Sequence, residues 1–444
     1  MTVRGKIRRI AAMIALYNVL LALAAPFLAT YYGGKMLLTG KYRRSIGPKL
    51  GALSPDRVAA MTGSPRIWVH AVSVGEVTAA APIVAALRAS YPGACIVLST
   101  STETGQEMAA KVVPEASGII YYPLDLPWVI RKVIGVVNPD VFAAVETELW
   151  PNFIRACRTR GIPLVLVNGR ISGRSFRRYR ATRFFWRGML AAFSEAGMIS
   201  RLDAERIGEI GLDPVRIGIL GNAKYDGLAA RVSADLGDST RERLNVADGE
   251  RFFVAGSTHP GEERIVLDVF HGLLASHPEF RLALIPRHVD RAPEVLDIVR
   301  RAGFEDVLTM KEIAAGRRRK GERVVVVDVI GELFKIYSLA EIVFCGGSLV
   351  PKGGQNILEA AAWGKVVLYG PHMDDFLSEK DLLEEAGAGF TIGSEAEMLG
   401  RIESLLADPL ELRRRGAEGA RVVAANQGAA GRYAELIVRN LKKG

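Results

Sequence analysis

Between residues 66 and 220 the chain repeats one pattern: a short apolar run, a turn containing glycine or polar residues, then a longer amphipathic stretch. Apolar runs at 67–72, 95–100, 118–122, 141–145, 164–168, 198–200 and 217–220 read as strands, with helices such as 77–88 and 151–160 between them. These runs do not alternate apolar with polar residues, as half-exposed strands would, so they predict a parallel sheet covered on both faces. A polar stretch at about 223–250 reads as a linker, and the rhythm then restarts at 252–255, 281–285, 324–327, 342–345, 366–369 and 389–392. Two Rossmann-like, doubly wound α/β domains in tandem account for the pattern. A chain of 444 residues is also long for a single core. Folds of this class bind ligands outside the carboxyl ends of their strands, which places the expected chemistry in a cleft between the two domains.

The first fifty residues depart from this rhythm. Residues 10–30 carry no charge, and basic residues flank them: Arg4, Lys6, Arg8 and Arg9 before, Lys35, Lys41, Arg43, Arg44 and Lys49 after. The run is about the length needed to cross a hydrocarbon core as a helix, with Tyr31 and Tyr32 where aromatic rings prefer the headgroup layer. A cleaved signal peptide fits poorly because the run is long and no small-x-small site follows it. A buried N-terminal helix stays open as a second reading, since Asn18 and Pro26 interrupt the run. The expected organisation is a hydrophobic anchor helix within 1–50, spanning or interfacial, and two α/β domains at 51–228 and 229–444. Net charge is +10, which calls for an anionic partner. Its concentration beside an apolar anchor favours anionic membrane lipid over nucleic acid, for which no reading helix is evident. Cys95, Cys157 and Cys345 are scattered without metal-ligand spacing, and the six histidines form no zinc motif, so no metal or cofactor is expected.

The candidate chemistry follows the strands. His70-Ala71-Val72-Ser73-Val74-Gly75-Glu76 leads from the first strand into a helix. Glu76 can serve as a general base there, or simply complement the helix dipole. Glu146-Thr147-Glu148-Leu149-Trp150-Pro151-Asn152 closes the fourth strand with two carboxylates, one suited to partner an arginine and the other to orient an acceptor or stabilise positive charge developing on a sugar. Residues 168–187 hold seven arginines, Arg170, Arg174, Arg177 and Arg178 among them, interleaved with Phe176, Tyr179, Phe184, Phe185 and Trp186. That mixture suits a phosphorylated lipid, arginines for phosphate and aromatics for acyl chains, although a solvated helix face also explains a charge run. In the second half, turns at 255–263, 286–288, 331–333 and 346–359 present glycines and helix starts whose backbone N–H groups suit a phosphate.

Taken in order, Ser73-Val74-Gly75-Glu76, Glu146 to Asn152, Asn168-Gly169-Arg170-Ile171-Ser172, Ser257 to Glu263, Pro286-Arg287-His288, Gly346 to Leu349, Gly353 to Ala360 and Gly370-Pro371-His372-Met373 resemble the 3-deoxy-D-manno-octulosonic acid (Kdo) transferases of lipopolysaccharide assembly. The resemblance implies a GT-B fold and an inverting glycosyltransferase at the cytoplasmic face of the inner membrane. It implies a CMP-Kdo donor bound by residues 229–444 and a lipid IVA acceptor bound by residues 51–228. It assigns Glu76 as catalytic base, with Glu146 and Lys224 stabilising the transition state. Around CMP it places Pro286, Arg287, Gly331, Glu332, Leu333, Asn356, Ile357, Leu358 and Glu359. Two rivals remain at this point: another GT-B nucleotide-sugar transferase with a lipid acceptor, and a non-catalytic, membrane-tethered nucleotide- or lipid-binding module.

Overall fold

The computed structural model describes residues 3–39, 42–229 and 231–442. The side chains of Arg4, Lys6, Arg8 and Arg9, and Lys41 as a whole, lie outside the described residues. Two compact units divide the chain, Met1–Asp226 with Gln427–Gly444, and Gly227–Asn426.

The first unit is built on seven parallel strands: β1 (Arg66–His70), β2 (Cys95–Thr100), β3 (Gly118–Tyr121), β4 (Val141–Val145), β5 (Leu164–Gly169), β6 (Phe193–Met198) and β7 (Ile217–Ile219). Their order is β3-β2-β1-β4-β5-β6-β7, so the winding reverses between β1 and β4. Successive side chains point to opposite faces, and both faces are buried. Trp68, Val97 and Phe142 join one apolar cluster, while Ile67, Val69, Ile96 and Leu98 join another. This is why the strand runs show no polar alternation. The second unit repeats the plan with β8 (Arg251–Thr258), β9 (Phe280–Pro286), β10 (Val307–Thr309), β11 (Val324–Val326), β12 (Ala340–Cys345), β13 (Val366–Tyr369) and β14 (Gly389–Thr391). Here the order is β10-β11-β9-β8-β12-β13-β14, reversing between β8 and β12.

The helices that position the sites are α1 (Val3–Thr39), α2 (Val74–Ser90), α3 (Pro127–Val137), α4 (Pro151–Thr159), α5 (Gly173–Ala181), α6 (Arg183–Leu190), α7 (Lys224–Ala229), α8 (Ala234–Arg243), α9 (Glu262–Ser276), α10 (Leu333–Ile336), α11 (Leu358–Ala362) and α12 (Ala429–Arg439). Three expectations change. The polar stretch 223–250 is not a bare linker: it forms α7 and α8, the latter capped by the Ser233 hydroxyl accepting from the Leu236 N–H. The sixth strand lies at Phe193–Met198 rather than 198–200. Glu195 disguises it in the sequence, and the strand carries this charge because Arg439 and Asn440 hydrogen-bond its carboxylate. β10, only three residues long, has no counterpart in the sequence pattern.

Residues 427–444 also return to the first unit, where the sequence reading kept them with the second. Tyr433, Leu436 and Ile437 of α12 join the cluster formed by Val77, Ile83 and Val84 of α2 and the sheet. The Tyr433 hydroxyl donates to the Gly221 carbonyl at 2.7 Å.

Residues 12–38 of α1 are long and apolar enough to cross a membrane, by length and composition. One side of the helix is held by the first unit. Ile14 is buried, the Tyr17 hydroxyl hydrogen-bonds the Asp125 carboxylate, and Asn18 and Asn152 exchange amide hydrogen bonds of 3.0 and 2.6 Å. The other side is bare: Leu16, Leu20, Leu23 and Phe27 are between 57% and 78% exposed.

Tyr433→Ala removes a fully buried ring from beneath the first sheet. It is expected to destabilise the first unit by about 3–5 kcal/mol, read as a lower urea midpoint by tryptophan fluorescence. An unchanged midpoint would mean that α12 is not part of that core.

Candidate active site on the two sheet edges

At the carboxyl edge of the first sheet, the loops after β1 and β4 emerge on either side of the winding reversal. Glu76 lies in the first turn of α2, half-buried. Its Oε2 accepts the Val72 N–H at 2.6 Å. Burial raises its carboxyl most. The Val72 N–H opposes this, the neighbouring Glu146 and Glu148 add to it, Lys224 offsets part, and the result is a pKa pushed up to about 8. Glu148 is itself raised by burial and by Glu146.

Glu146 occupies left-handed backbone, φ +59°, a conformation that disfavours a side chain. Its N–H is fixed on the Val167 carbonyl at 2.9 Å, and its Oε1 lies 3.2 Å from Lys224 Nζ. Lys224 arrives from a turn pinned by Asn168, also left-handed at φ +50°, whose Oδ1 accepts the Ala223 N–H at 2.9 Å. Thus Glu76, Glu146 and Lys224, 148 positions apart from first to last, form one electrostatic group with Glu148. Asn168 stands in the sequence reading only as part of a motif and has no role there. Its signal was the Asn168-Gly169 pair after a strand, typical of left-handed turns.

The second sheet's edge corrects an expectation. The turns at 255–263 and 346–349 were read as backbone phosphate cradles, yet their N–H groups already hold an anion of the protein itself. Glu262, fully buried at the start of α9, accepts four of them. His259 and Gly347 N–H bind Oε2 at 2.9 and 2.7 Å, and Ser348 and Leu349 N–H bind Oε1 at 3.0 and 2.9 Å. Gly346 makes room for this: a Cβ there would stand 2.7 Å from the Ser257 carbonyl and 2.8 Å from the Glu262 carboxylate.

The residues expected around a nucleotide lie on the same edge. Pro286 ends β9, and Arg287 follows with its N–H on the Thr258 carbonyl and its side chain exposed. Gly331 has φ +89° and open space beside it. Glu332 is engaged with Arg243 and with Lys335, and Leu333 begins α10. Asn356 caps Leu358 at 3.2 Å and donates to Glu359 at 3.3 Å. Burial raises the Glu359 carboxyl, while the charges of Arg231 and Arg287 pull it down, which places Arg287 near α11. Ile357 and Leu358 are buried beneath.

The arginine–aromatic stretch resolves into α5 and α6. Arg174, Arg177 and Arg178 are exposed, but Phe176, Tyr179, Phe185 and Trp186 pack on the core, and only Phe184, at 68% exposure, faces outward. The aromatics therefore seat the helices rather than offer a surface for acyl chains. Arg170 stays next to the catalytic edge, its carbonyl accepting from the Thr147 hydroxyl at 2.6 Å.

Two doubly wound parallel sheets with their polar groups gathered on the carboxyl edges define a protein of the GT-B fold. The fold is shared with a glycosyltransferase from Rickettsia africae, at 14% identity and TM-score 0.58 over 86% of this chain and 100% of that one. It is shared equally with a UDP-GlcNAc 2-epimerase from Neisseria meningitidis, at 13% identity and TM-score 0.59 over 85% and 100%. Sequence narrows the class. The chain belongs to the 3-deoxy-D-manno-octulosonic acid (Kdo) transferase family: it is 32% identical over 436 residues to the 3-deoxy-D-manno-octulosonic acid transferase of Haemophilus influenzae, covering 96% of this chain and 98% of that protein. Residues 44–227 match the family model described as 3-deoxy-D-manno-octulosonic-acid transferase.

Glu262→Gln exchanges one acceptor oxygen for an amide that faces N–H donors. Losing two charge-assisted bonds is expected to cost about 3 kcal/mol, measured as lower thermal stability of the second unit. An unshifted transition would show that the carboxylate does not organise this edge.

Proposed function

We propose that this Kdo transferase takes Kdo from CMP-Kdo and adds it, with inversion, to a hydroxyl of lipid IVA at the cytoplasmic face of the inner membrane. The observation that carries the reading is Glu76, a half-buried carboxyl raised to about 8 beside the Glu146–Lys224 pair. A carboxylate with so high a pKa is a strong base once ionised, which suits proton removal from a sugar hydroxyl. The ordered motifs of the Kdo transferases, each falling on a sheet edge, support the donor and acceptor.

In the proposed step the Glu76 carboxylate removes the acceptor's hydroxyl proton as that oxygen bonds the anomeric carbon of Kdo. The bond from that carbon to the phosphate oxygen breaks, and its electron pair leaves with CMP. Arg287 binds the departing phosphate, a charge-assisted contact that strengthens as negative charge develops. Lys224, held by Glu146, faces charge building near the reacting sugar. Asn356 and Glu359 at the start of α11 take the nucleotide's hydroxyls, with Pro286, Gly331, Glu332, Leu333, Ile357 and Leu358 shaping that pocket. Arg170, Arg174, Arg177 and Arg178 bind phosphates of the acceptor. The bare face of α1 attaches the protein to the membrane.

The pH dependence follows from Glu76. A base must be ionised, and a pKa of about 8 leaves Glu76 mostly protonated at neutrality. Kdo transfer from CMP-Kdo to lipid IVA at limiting substrate should therefore rise nearly tenfold per pH unit below neutrality and level off above about 8. Glu76→Gln should lose this limb and be slower by roughly 10²–10⁴-fold. A flat profile in the wild type would remove Glu76 from the role.

Arg287→Ala should chiefly raise the KM for CMP-Kdo, whereas Glu76→Ala leaves CMP affinity near that of the wild type. Equal loss of CMP affinity in both variants would refute this division of labour. Competition by UDP rather than CMP would point to a different nucleotide-sugar donor.

A further inference from the structure

A cavity of about 510 Å³ opens between α3 and α4, on the side of the first unit where α1 is held. Among the described residues its walls include Arg131 of α3, Arg155 of α4 and Arg160 just after it, and no acidic residue. Two of these arginines are partly fixed in place: Arg131 Nε donates to the Pro127 carbonyl, and Arg160 donates to the Arg131 carbonyl, each at 3.3 Å. None of the steps assigned above uses this cavity.

Its position relative to the anchor helix gives it meaning. Asn152, which lines the cavity, is the residue that exchanges amide hydrogen bonds with Asn18 in the middle of the apolar run. Tyr17 reaches Asp125, two residues before the lining Pro127. The helix is thus held by a residue that lines the cavity and by one that adjoins it, while Leu16, Leu20 and Leu23 are bare on its side away from the first unit. Trp128, next in the chain to Pro127, is 63% exposed, an amphipathic ring of the kind that settles at the depth of lipid headgroups. An apolar helix, an exposed tryptophan and three guanidinium groups with no acidic residue beside them among the described lining thus belong to one side of the first unit. Guanidinium groups bind phosphate through paired N–H donors, and a cavity of this volume is within the range that holds a small ligand.

We propose that this cavity is a binding site for the phosphate headgroup of an anionic glycerophospholipid, drawn from the bilayer to which α1 attaches the first unit. The proposal rests on the reading of α1 as a membrane-attached helix. It assigns the bound lipid to the surrounding membrane, separate from the acceptor that reacts at Glu76. The bound lipid fixes the height and tilt of the first unit against the membrane.

The test uses the full chain and a short-chain phosphatidylglycerol kept below its micelle concentration, followed by the fluorescence change that Trp128→Phe abolishes. A saturable response is expected in the wild type. It should weaken by at least about tenfold in Arg131→Ala/Arg155→Ala/Arg160→Ala, given about 1 kcal/mol per basic residue at an anionic surface. The matched variant Arg264→Ala/Arg300→Ala/Arg421→Ala, with equal loss of charge at exposed positions of the second unit, should respond as the wild type does. Replacement by glutamine at the three cavity positions keeps side-chain bulk and should show the same loss.

Three outcomes would overturn the site: no saturable response, an equal response in the cavity variant, or full reproduction of the response by inorganic phosphate. So would a cavity variant that binds phosphatidylglycerol normally but shows a raised KM for the lipid acceptor, because the arginines would then serve the substrate. Failure of α1 to bind neutral phosphatidylcholine vesicles would instead count against the anchor reading. Lipid binding at the cavity would still be scored separately.

Discussion

Covering both faces of a parallel sheet leaves only its edges for polar chemistry, and the rest of this protein is arranged around that constraint. Side chains pointing up or down from β1, β4, β8 and β12 meet packed aliphatic and aromatic groups, so a charge on either face would be stranded. At the carboxyl edge the strands end in loops whose backbone groups are unpaired, and at the winding reversal adjacent strands turn in opposite directions. Charged groups can be partly buried there and still find partners. Glu76, Glu146, Lys224, Arg287 and Glu359 all lie on such edges.

The two edges use a carboxylate in opposite ways. Glu76 and Glu262 each follow the first strand of a sheet and each sits at a helix start. Glu262 is fully buried and accepts hydrogen bonds from four backbone N–H groups, which make its carboxylate a fixed part of the backbone's architecture. Glu76 has one such donor, two neighbouring carboxylates and partial burial, which together favour the neutral form. Nearly the same local sequence feature, a glutamate after a glycine at a strand-to-helix turn, thus yields a carboxylate saturated with backbone donors in one place and a carboxyl with a raised pKa in the other. Counting donors and like charges around the carboxylate separates the two roles.

That difference also marks where the sequence was legible. Strand identity, the doubly wound plan and the convergence of Glu76 with Glu146 follow from continuous apolar runs and from what must stand after them. The glycine turns of 255–263 and 346–349 looked like phosphate cradles because nothing in the local pattern tells which anion a nest of N–H groups will hold. Glu262 answers that through contacts 85 to 87 residues away. β6 escaped for a similar reason: Glu195 reads as a break until Arg439, 244 residues later, is seen to neutralise it. The folding of 223–250 into α7 and α8 is a matter of tertiary support for charged, cap-forming residues, which propensity alone does not reveal.

The arginine-rich segment shows how far composition can mislead about surface. Arginine and aromatic residues interleaved along 168–187 suggest a face that meets lipid, yet at helical spacing they separate onto opposite sides. Phe176, Tyr179, Phe185 and Trp186 go inward as ballast for α5 and α6, and the arginines go outward. A membrane-facing surface needs charge and apolar area exposed together. Around α1 both are present, because Tyr17 and Asn18, the latter read in the sequence as a break in the run, are turned toward the protein and satisfied there by Asp125 and Asn152. Their burial leaves one uninterrupted apolar face on the opposite side of the helix. The contacts that turn these polar groups inward are what tie the helix to the first unit.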